Sequence, residues 1–235
     1  MPMTREKQER LSEDIHLLGD ILGHVIRRQA GIEIFELEER IRALAKTRRL
    51  ESDPAIDTRL AYVVGRLDSA EAELVARSFT TYFELVNLAE EQHRVRVLRE
   101  RERDVHPQPL SESVAGAVAA LWKAGVDEFE MRRLLNRLDI ELVFTAHPTQ
   151  AKRRTILTKL RNIAAALTEL DVRDLLPSER QALVDQVTAE VTLMWVTDRS
   201  RTSRPTVTDE VRTGLFYFDT TLWDVLPAVY RDMAA

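Results

Sequence analysis

Apolar residues recur every three or four positions along most of this chain, and that period restricts each such segment to an α-helix with one buried face. The first repeat consists of Leu11, Ile15, Leu18, Leu22, Val25 and Ile26. It stops near Gly31, because glycine commonly ends a helix. A second repeat consists of Ile34, Leu37, Ile41 and Leu44. The sequence therefore predicts a mainly α fold of amphipathic helices.

Two further helices are predicted before residue 105. Ser52-Asp-Pro54 breaks the second helix, and a third helix is predicted over residues 56–67. Ser69 is predicted to cap a long helix that ends in the charge-rich tract of residues 94–104. Such a tract is more often a solvated helix end than a binding arm.

Two closely spaced prolines mark the clearest boundary. Pro107 and Pro109 interrupt any helix and predict a linker over residues 104–110. We therefore predict an N-terminal helical region over residues 1–104 and a second region over residues 105–235.

The second region also contains helix signals. Ser111 is predicted to begin a helix that Gly125 ends, and Asp127 is predicted to cap the next one. Three more helices are predicted over residues 148–170, 177–197 and 206 onward. Pro227 is predicted to kink or restart the last helix.

One segment departs from the helical pattern. Residues 140–145 include the run Leu-Val-Phe, which is typical of a short buried strand, and His147-Pro148 follows directly. Proline is tolerated at the first position of a helix, so His147 is predicted to lie at a helix cap. A lone strand lacks hydrogen-bond partners, so its neighbours are expected in other sequence.

The predicted cap of this helix suits an anion. Backbone N–H groups of a first helical turn and the positive end of the helix dipole favour a phosphate, carboxylate or bicarbonate beside His147. Lys152, Arg153 and Arg154 follow within two turns and can hold the same anion. Taken alone, His-Pro-Thr at a helix start is a common turn, so the tripeptide by itself favours a structural role.

The residues around His147 closely resemble the active-site histidine region of phosphoenolpyruvate carboxylases. The resemblance runs from Gly125 to Leu157 and centres on Phe144-Thr-Ala-His147-Pro-Thr, with the Arg153-Arg154 pair after it. Weaker resemblances occur in the order that the family requires, at Leu17-Leu-Gly19, Asn87-Leu-Ala-Glu90 and Trp195-Val-Thr-Asp198. Arg199 departs from the family, which typically has an acidic residue there, so an ion pair made by that residue cannot be carried over.

The resemblance implies a fold and a reaction. The fold would be the helical N-terminal portion of an α/β-barrel enzyme, with residues 140–145 as one barrel strand. The reaction would be the carboxylation of phosphoenolpyruvate by bicarbonate to give oxaloacetate and phosphate, as in carbon fixation. His147 matches the family's catalytic histidine, and Arg153 and Arg154 match its arginine pair, expected to bind substrate. The cofactor would be Mg²⁺ or Mn²⁺, and the enzyme would be an allosteric, cytoplasmic homo-oligomer.

The chain is much shorter than members of that family. We therefore expect it to be an N-terminal fragment without the family's metal ligands, glycine-rich loop and allosteric site, and to be inactive alone. Two alternatives stay open at this stage. One is a histidine phosphotransfer module, although such modules place the histidine in mid-helix. The other is a non-catalytic helical interaction fragment.

Composition excludes several classes of protein. A hydrophobic content of 44% with 31% charged residues is typical of a soluble globular chain. The absence of cysteine excludes disulfides and fits a reducing cytoplasm. A net charge of -5 argues against bulk nucleic-acid binding, and no segment predicts a signal peptide or membrane span. The three tryptophans are expected to be core or interface anchors.

Overall fold

The computed structural model describes residues 5–51, 53–141, 153–171, 174–198 and 206–234. These residues form α1 Arg5–Ala30, α2 Ile32–Leu50, α3 Pro54–Gly65, α4 Ser69–Val105, α5 Val114–Lys123, α6 Glu128–Arg137, α7 Arg154–Leu170, α8 Pro177–Val196, α9 Val207–Tyr217, a π-helical turn Phe218–Leu222 and α10 Trp223–Ala234. The predicted mainly α fold is confirmed. Among the helices just named, none is long and apolar enough to cross a bilayer.

The strand predicted over residues 140–145 falls mainly on residues 142–145, which lie outside the described part of the chain. The preceding residues 138–141 have no regular secondary structure. The strand therefore stays a prediction.

Two compact units divide the chain. The first consists of residues 1–95 and 155–199, and the second of residues 96–154 and 200–235. The predicted division into residues 1–104 and 105–235 stays a prediction, because it rests on the linker sequence rather than on packing.

The first unit has a well-formed hydrophobic core. Four helices, α1, α4, α7 and α8, supply most of it, and Ile34 of α2 joins them. Its most deeply buried side chains include Leu18, Ile26, Leu85, Ile163, Leu167, Val187, Val191 and Met194. Burying each large apolar side chain contributes roughly 1.5–3 kcal/mol. This core fixes α7 and α8, the two helices that follow the histidine segment.

The second unit lacks such a core in its described residues, none of which is buried. Large apolar side chains lie in solvent instead, with exposed fractions of 65% for Trp122, 74% for Phe129 and 75% for Trp223. The described residues of this unit therefore leave these large apolar side chains uncovered.

The linker around Pro107 is confirmed as an interruption of helix. α4 ends at Val105, and the His106–Pro107 peptide bond is cis. Arg101 donates to both carboxylate oxygens of Glu112, at 2.8 and 3.0 Å, and so joins the end of α4 to the segment before α5. This contact lowers the pKa of Glu112 to about 2.

The N-cap of α4 differs from the prediction. Asp68, not Ser69, caps this helix, because its Oδ1 accepts from the backbone N–H groups of Ala70 and Glu71 at 2.8 Å each. Glu71 Oε2 accepts from the Asp68 N–H at 3.0 Å and completes a reciprocal cap. Ser69 is the first residue inside the helix.

The N-cap of α5 also differs. Ser113 rather than Ser111 caps it, with its Oγ accepting from the Gly116 N–H at 3.0 Å. Ser111 instead donates to Glu112. A Cβ on Gly116 would lie 2.0 Å from the Leu110 carbonyl oxygen, so this close turn requires glycine.

Other predicted helix ends are confirmed. Gly31 and Gly125 have φ of 95° and 89°, a conformation that suits glycine. Asp127 caps α6 through the Glu130 N–H at 2.8 Å. Pro227 lies inside α10, which follows the π-helical turn, so it does not restart the helix; the predicted kink at Pro227 stays a prediction.

One carboxyl group of the first unit is buried. Glu38 on α2 is only 5% exposed, and burial raises its pKa from 4.5 to about 7. Repulsion from Glu39 adds to the shift, whereas Arg42 opposes it. Glu38 therefore holds its proton in the folded state to a higher pH than in the unfolded chain.

Glu38→Gln is expected to change how stability depends on pH. A raised pKa contributes stability that is complete below the unfolded pKa near 4.5 and is lost as the pH rises through about 7. The variant and the wild-type chain should therefore be similarly stable near pH 4.5, whereas at pH 8 the variant should be more stable by about 3 kcal/mol. Urea unfolding at both pH values checks this. Glu36→Gln, at an exposed position of α2, is the control. A wild-type pH dependence in Glu38→Gln would contradict the expectation.

Candidate active site

The structure places two of the three predicted site residues. Arg153 is half-buried and directly precedes α7, and Arg154 is exposed as the first residue of that helix. His147 and Lys152 lie outside the described residues, so the predicted cap geometry stays a prediction. Of the predicted site residues, the structure therefore describes the surroundings of the arginine pair alone.

The start of α7 carries an unusual charge. Its first turn contains no acidic residue and begins with Arg154; α5 also lacks an acidic residue in its first turn, whereas α6, α8 and α9 each have at least one. Cationic side chains oppose the positive end of a helix dipole at a cost of a few tenths of a kcal/mol to about 1 kcal/mol each. The guanidinium groups at this helix start can also bind an anion.

Apolar packing anchors α7 just after its first residue. Its buried side chains are Ile156, Leu160, Ile163, Ala166 and Leu167, which form one continuous stripe. The stripe begins two positions after Arg154, so the helix that carries this arginine is anchored almost from its start.

The sequence did not predict a polar contact between α7 and α8. Glu190 accepts a hydrogen bond from Asn162 Nδ2 at 2.6 Å, and Lys159 Nζ lies 2.9 Å from its other carboxylate oxygen. The only sequence signal was the three-residue spacing of Lys159 and Asn162, which puts them on neighbouring turns of one face. That spacing does not identify the helix that faces them.

A second contact fixes the end of α8. Arg77 of α4 donates to the Trp195 carbonyl oxygen at 3.1 Å and pairs with Glu73 at 2.6 Å. A cation at this position suits the negative end of the α8 dipole and satisfies one of its last carbonyl groups. Thr197, which follows α8, donates to the Leu193 carbonyl oxygen at 2.5 Å. Arg199 lies outside the described residues.

The two histidines of α1 are surface residues. His16 and His24 are exposed, and His16 Nδ1 lies 2.5 Å from the Ser12 carbonyl oxygen. In the described ranges no group of three or more histidine, cysteine, aspartate or glutamate side chains could hold a metal ion.

Comparison with known proteins gives consistent matches. A family model described as phosphoenolpyruvate carboxylase matches residues 11–235. Phosphoenolpyruvate carboxylase from Roseiflexus castenholzii is 42% identical over 229 residues, which cover 97% of this chain and 24% of that protein. The Thermus thermophilus protein of the same name is 42% identical over 234 residues, covering 99% of this chain and 26% of its own length. The Rhodothermus marinus protein is 40% identical, with 95% and 24% covered.

These matches identify the family. The helical scaffold and the arginine-led start of α7 lie within one continuous family match that also contains the His147 segment. The chain belongs to the phosphoenolpyruvate carboxylase family. It spans about a quarter of the length of the curated relatives named above.

Proposed function

We propose that the complete protein containing this stretch is a phosphoenolpyruvate carboxylase, a carbon-fixing lyase that forms oxaloacetate and inorganic phosphate from phosphoenolpyruvate and bicarbonate. The observation that carries the proposal is the 42% identity to a phosphoenolpyruvate carboxylase over 97% of the chain, including the histidine segment. The cationic start of α7 supports it, since both substrates are anions.

The proposed reaction begins at phosphorus. A bicarbonate oxygen attacks the phosphoryl group, and the bond between phosphorus and the enol oxygen breaks. The products are carboxyphosphate and the enolate of pyruvate. Carboxyphosphate then loses a proton and breaks its bond between carbon and the bridging oxygen, giving carbon dioxide and phosphate. The enolate carbon attacks carbon dioxide, and oxaloacetate forms.

His147 is the proposed proton acceptor in this sequence. An imidazole titrates near neutral pH, so it can take the carboxyphosphate proton at modest cost. A helix N-terminus favours the neutral, accepting form of the ring. Because carbon dioxide is released only when this proton leaves, His147 controls carboxylation rather than enolate formation.

Arg153 and Arg154 are the proposed anion-binding residues. Their guanidinium groups supply charge-assisted hydrogen bonds to carboxylate, phosphate or bicarbonate oxygens. The anchored start of α7 limits the movement of Arg154 and thus the cost of ordering it on binding.

The remaining parts of the proposed site belong to other sequence. We assign the divalent metal, Mg²⁺ or Mn²⁺, to residues of the complete protein outside this stretch, because the stretch spans only about a quarter of the relatives' length. We also propose that the complete protein is a cytoplasmic, allosterically regulated homo-oligomer.

The direct test is oxaloacetate formation by the complete protein with phosphoenolpyruvate, bicarbonate and magnesium, coupled to malate dehydrogenase and NADH. We expect oxaloacetate and phosphate in equal amounts. Absence of oxaloacetate under these conditions would refute the proposed function.

Replacing both arginines with glutamine is expected to weaken substrate binding. A hydrogen bond to a charged group contributes about 1.5–3 kcal/mol, so Arg153→Gln/Arg154→Gln should raise the KM of an anionic substrate by about 10- to 100-fold. Steady-state kinetics of the complete protein measures this. Arg180→Gln is the matched control, since Arg180 is an exposed arginine in the first turn of α8. An unchanged KM for both substrates in the double variant would exclude the arginines from the site.

A further inference from the structure

We propose that Glu190 is a positioning residue, which fixes the start of α7 and thereby places Arg153 and Arg154 for anion binding. The inference rests on the proposed function for the role of the arginines. It concerns a residue of α8 that lies 36 positions after Arg154 in the sequence and carries no part of the histidine segment.

The geometry of the Glu190 carboxylate carries the proposal. Its Oε1 accepts from Asn162 Nδ2 at 2.6 Å, and its Oε2 lies 2.9 Å from Lys159 Nζ. Both partners belong to α7 and lie three residues apart, on adjacent turns. One carboxylate bound at two heights of a helix fixes the rotation of that helix and its position along its axis.

The polar contacts of Glu190 lie within a largely apolar interface between α7 and α8. The side chains of Glu190 and Lys159 are 12% and 20% exposed. Fully buried apolar residues flank them, namely Val187 and Val191 on α8 and Ile163 on α7. Apolar burial is non-directional and tolerates small rotations of one helix on another, whereas the hydrogen bond from Asn162 to Glu190 weakens as its angle changes. The Glu190 carboxylate, held by Asn162 and paired with Lys159, therefore favours one arrangement of α7 against α8.

The arginines lie close to this fixed point. Lys159 follows Arg154 by five residues, which is about 7.5 Å along a helix axis and less than one and a half turns. A small rotation of α7 at Lys159 therefore moves the guanidinium group of Arg154 relative to the ligand. Misplacement of the guanidinium group weakens its charge-assisted hydrogen bonds to the anion, because these depend on distance and angle.

Kinetics of the complete protein tests the proposal. Glu190→Gln should raise the KM of phosphoenolpyruvate or bicarbonate about tenfold and leave kcat within about twofold, since it disturbs binding of the anion in ground and transition states alike. Lys159→Met/Glu190→Met replaces the ion pair with apolar residues and should recover much of the unfolding temperature. The raised KM should persist in this double variant. Recovery of KM together with stability would show that the pair is merely structural and overturn the proposal.

A control variant separates this effect from the general loss of an ion pair. Asp57→Asn removes the pair with Arg48, which joins α3 to α2 and involves neither α7 nor α8. Its KM values should match those of the wild-type protein. A KM rise as large as that of Glu190→Gln would contradict a specific role for Glu190.

Hydrogen exchange tests positioning without any assay of activity. The backbone N–H groups of residues 158–161 bond to carbonyl groups of residues 154–157 in a regular helix. Their exchange should be at least fivefold faster in Glu190→Gln, with α1 amides unchanged. Wild-type exchange rates in the variant would overturn the proposal. If the wild-type protein formed no oxaloacetate, the proposed function would fail, and the exchange comparison would still decide whether Glu190 fixes α7.

Discussion

Replacing His147 with asparagine in the complete protein is expected to lower oxaloacetate formation by about 100- to 10,000-fold, the usual contribution of a positioned general base. Enolate formation should persist at a much larger fraction of its normal rate, because bicarbonate attacks phosphorus before His147 takes a proton. The enolate then has no carbon dioxide to attack and is protonated to pyruvate. The variant should therefore release phosphate and pyruvate in place of oxaloacetate.

Measuring phosphate, pyruvate and oxaloacetate in the same reaction checks this expectation. His24→Asn is the matched control, since His24 is an exposed histidine of α1. The control should give wild-type amounts of all three products. Equal loss of phosphate and oxaloacetate in His147→Asn would assign the histidine to binding or to the first step instead.

The stretch of residues 1–235 alone is expected to form no oxaloacetate. In the proposed site it contributes the proton acceptor and an arginine pair, and the described residues contain no group of three or more histidine, cysteine, aspartate or glutamate side chains placed to hold a metal ion. It also covers only 24–26% of the relatives named above. A reaction that needs both substrates and a metal cannot proceed with that part of the site alone.

The measurement is oxaloacetate formation by this stretch under conditions in which the complete protein turns over. Circular dichroism should show that the stretch is helical, so that lack of activity is not lack of folding. Turnover by the stretch itself would contradict the assignment of metal and substrate contacts to other sequence.

Local patterns predicted most of the helices because the apolar period and the breakers act over a few residues. Gly31, Gly125 and Asp127 were placed correctly, since each ends or caps a helix by its own backbone or side chain. The cap of α4 was missed because Asp68 and Ser69 are both good capping residues. The hydrogen bonds, not the sequence, decide between them.

Contacts between helices could not be predicted from the sequence. Glu190 and Lys159 are far apart in the chain, and no local pattern links them. The tryptophans show the same limit: Trp195 lies in the core at 3% exposure, whereas Trp122 and Trp223 are largely exposed. Their exposure depends on which surfaces meet, and for these two no covering surface lies within the described residues.

Part of the candidate site was predicted from local sequence patterns, and part depends on contacts between helices that only the structure shows. Arg153 and Arg154 were found from their spacing after the histidine motif, and the structure adds that they stand at the start of an anchored helix with no acidic residue in its first turn. The position of His147 relative to them stays a prediction. The support that Glu190 gives to α7 became visible only from the coordinates.

We propose that His147 acts as a base after carboxyphosphate has formed. The most direct test follows an oxygen atom from bicarbonate to the released phosphate. Bicarbonate labelled with ¹⁸O should place one labelled oxygen in the phosphate released by the complete protein, because the bridging oxygen of carboxyphosphate stays on phosphorus. In His147→Asn the phosphate should still carry that oxygen while the carbon product changes from oxaloacetate to pyruvate. Unlabelled phosphate, or labelled phosphate that falls as far as oxaloacetate does, would contradict the role of His147 as the base that acts after carboxyphosphate forms.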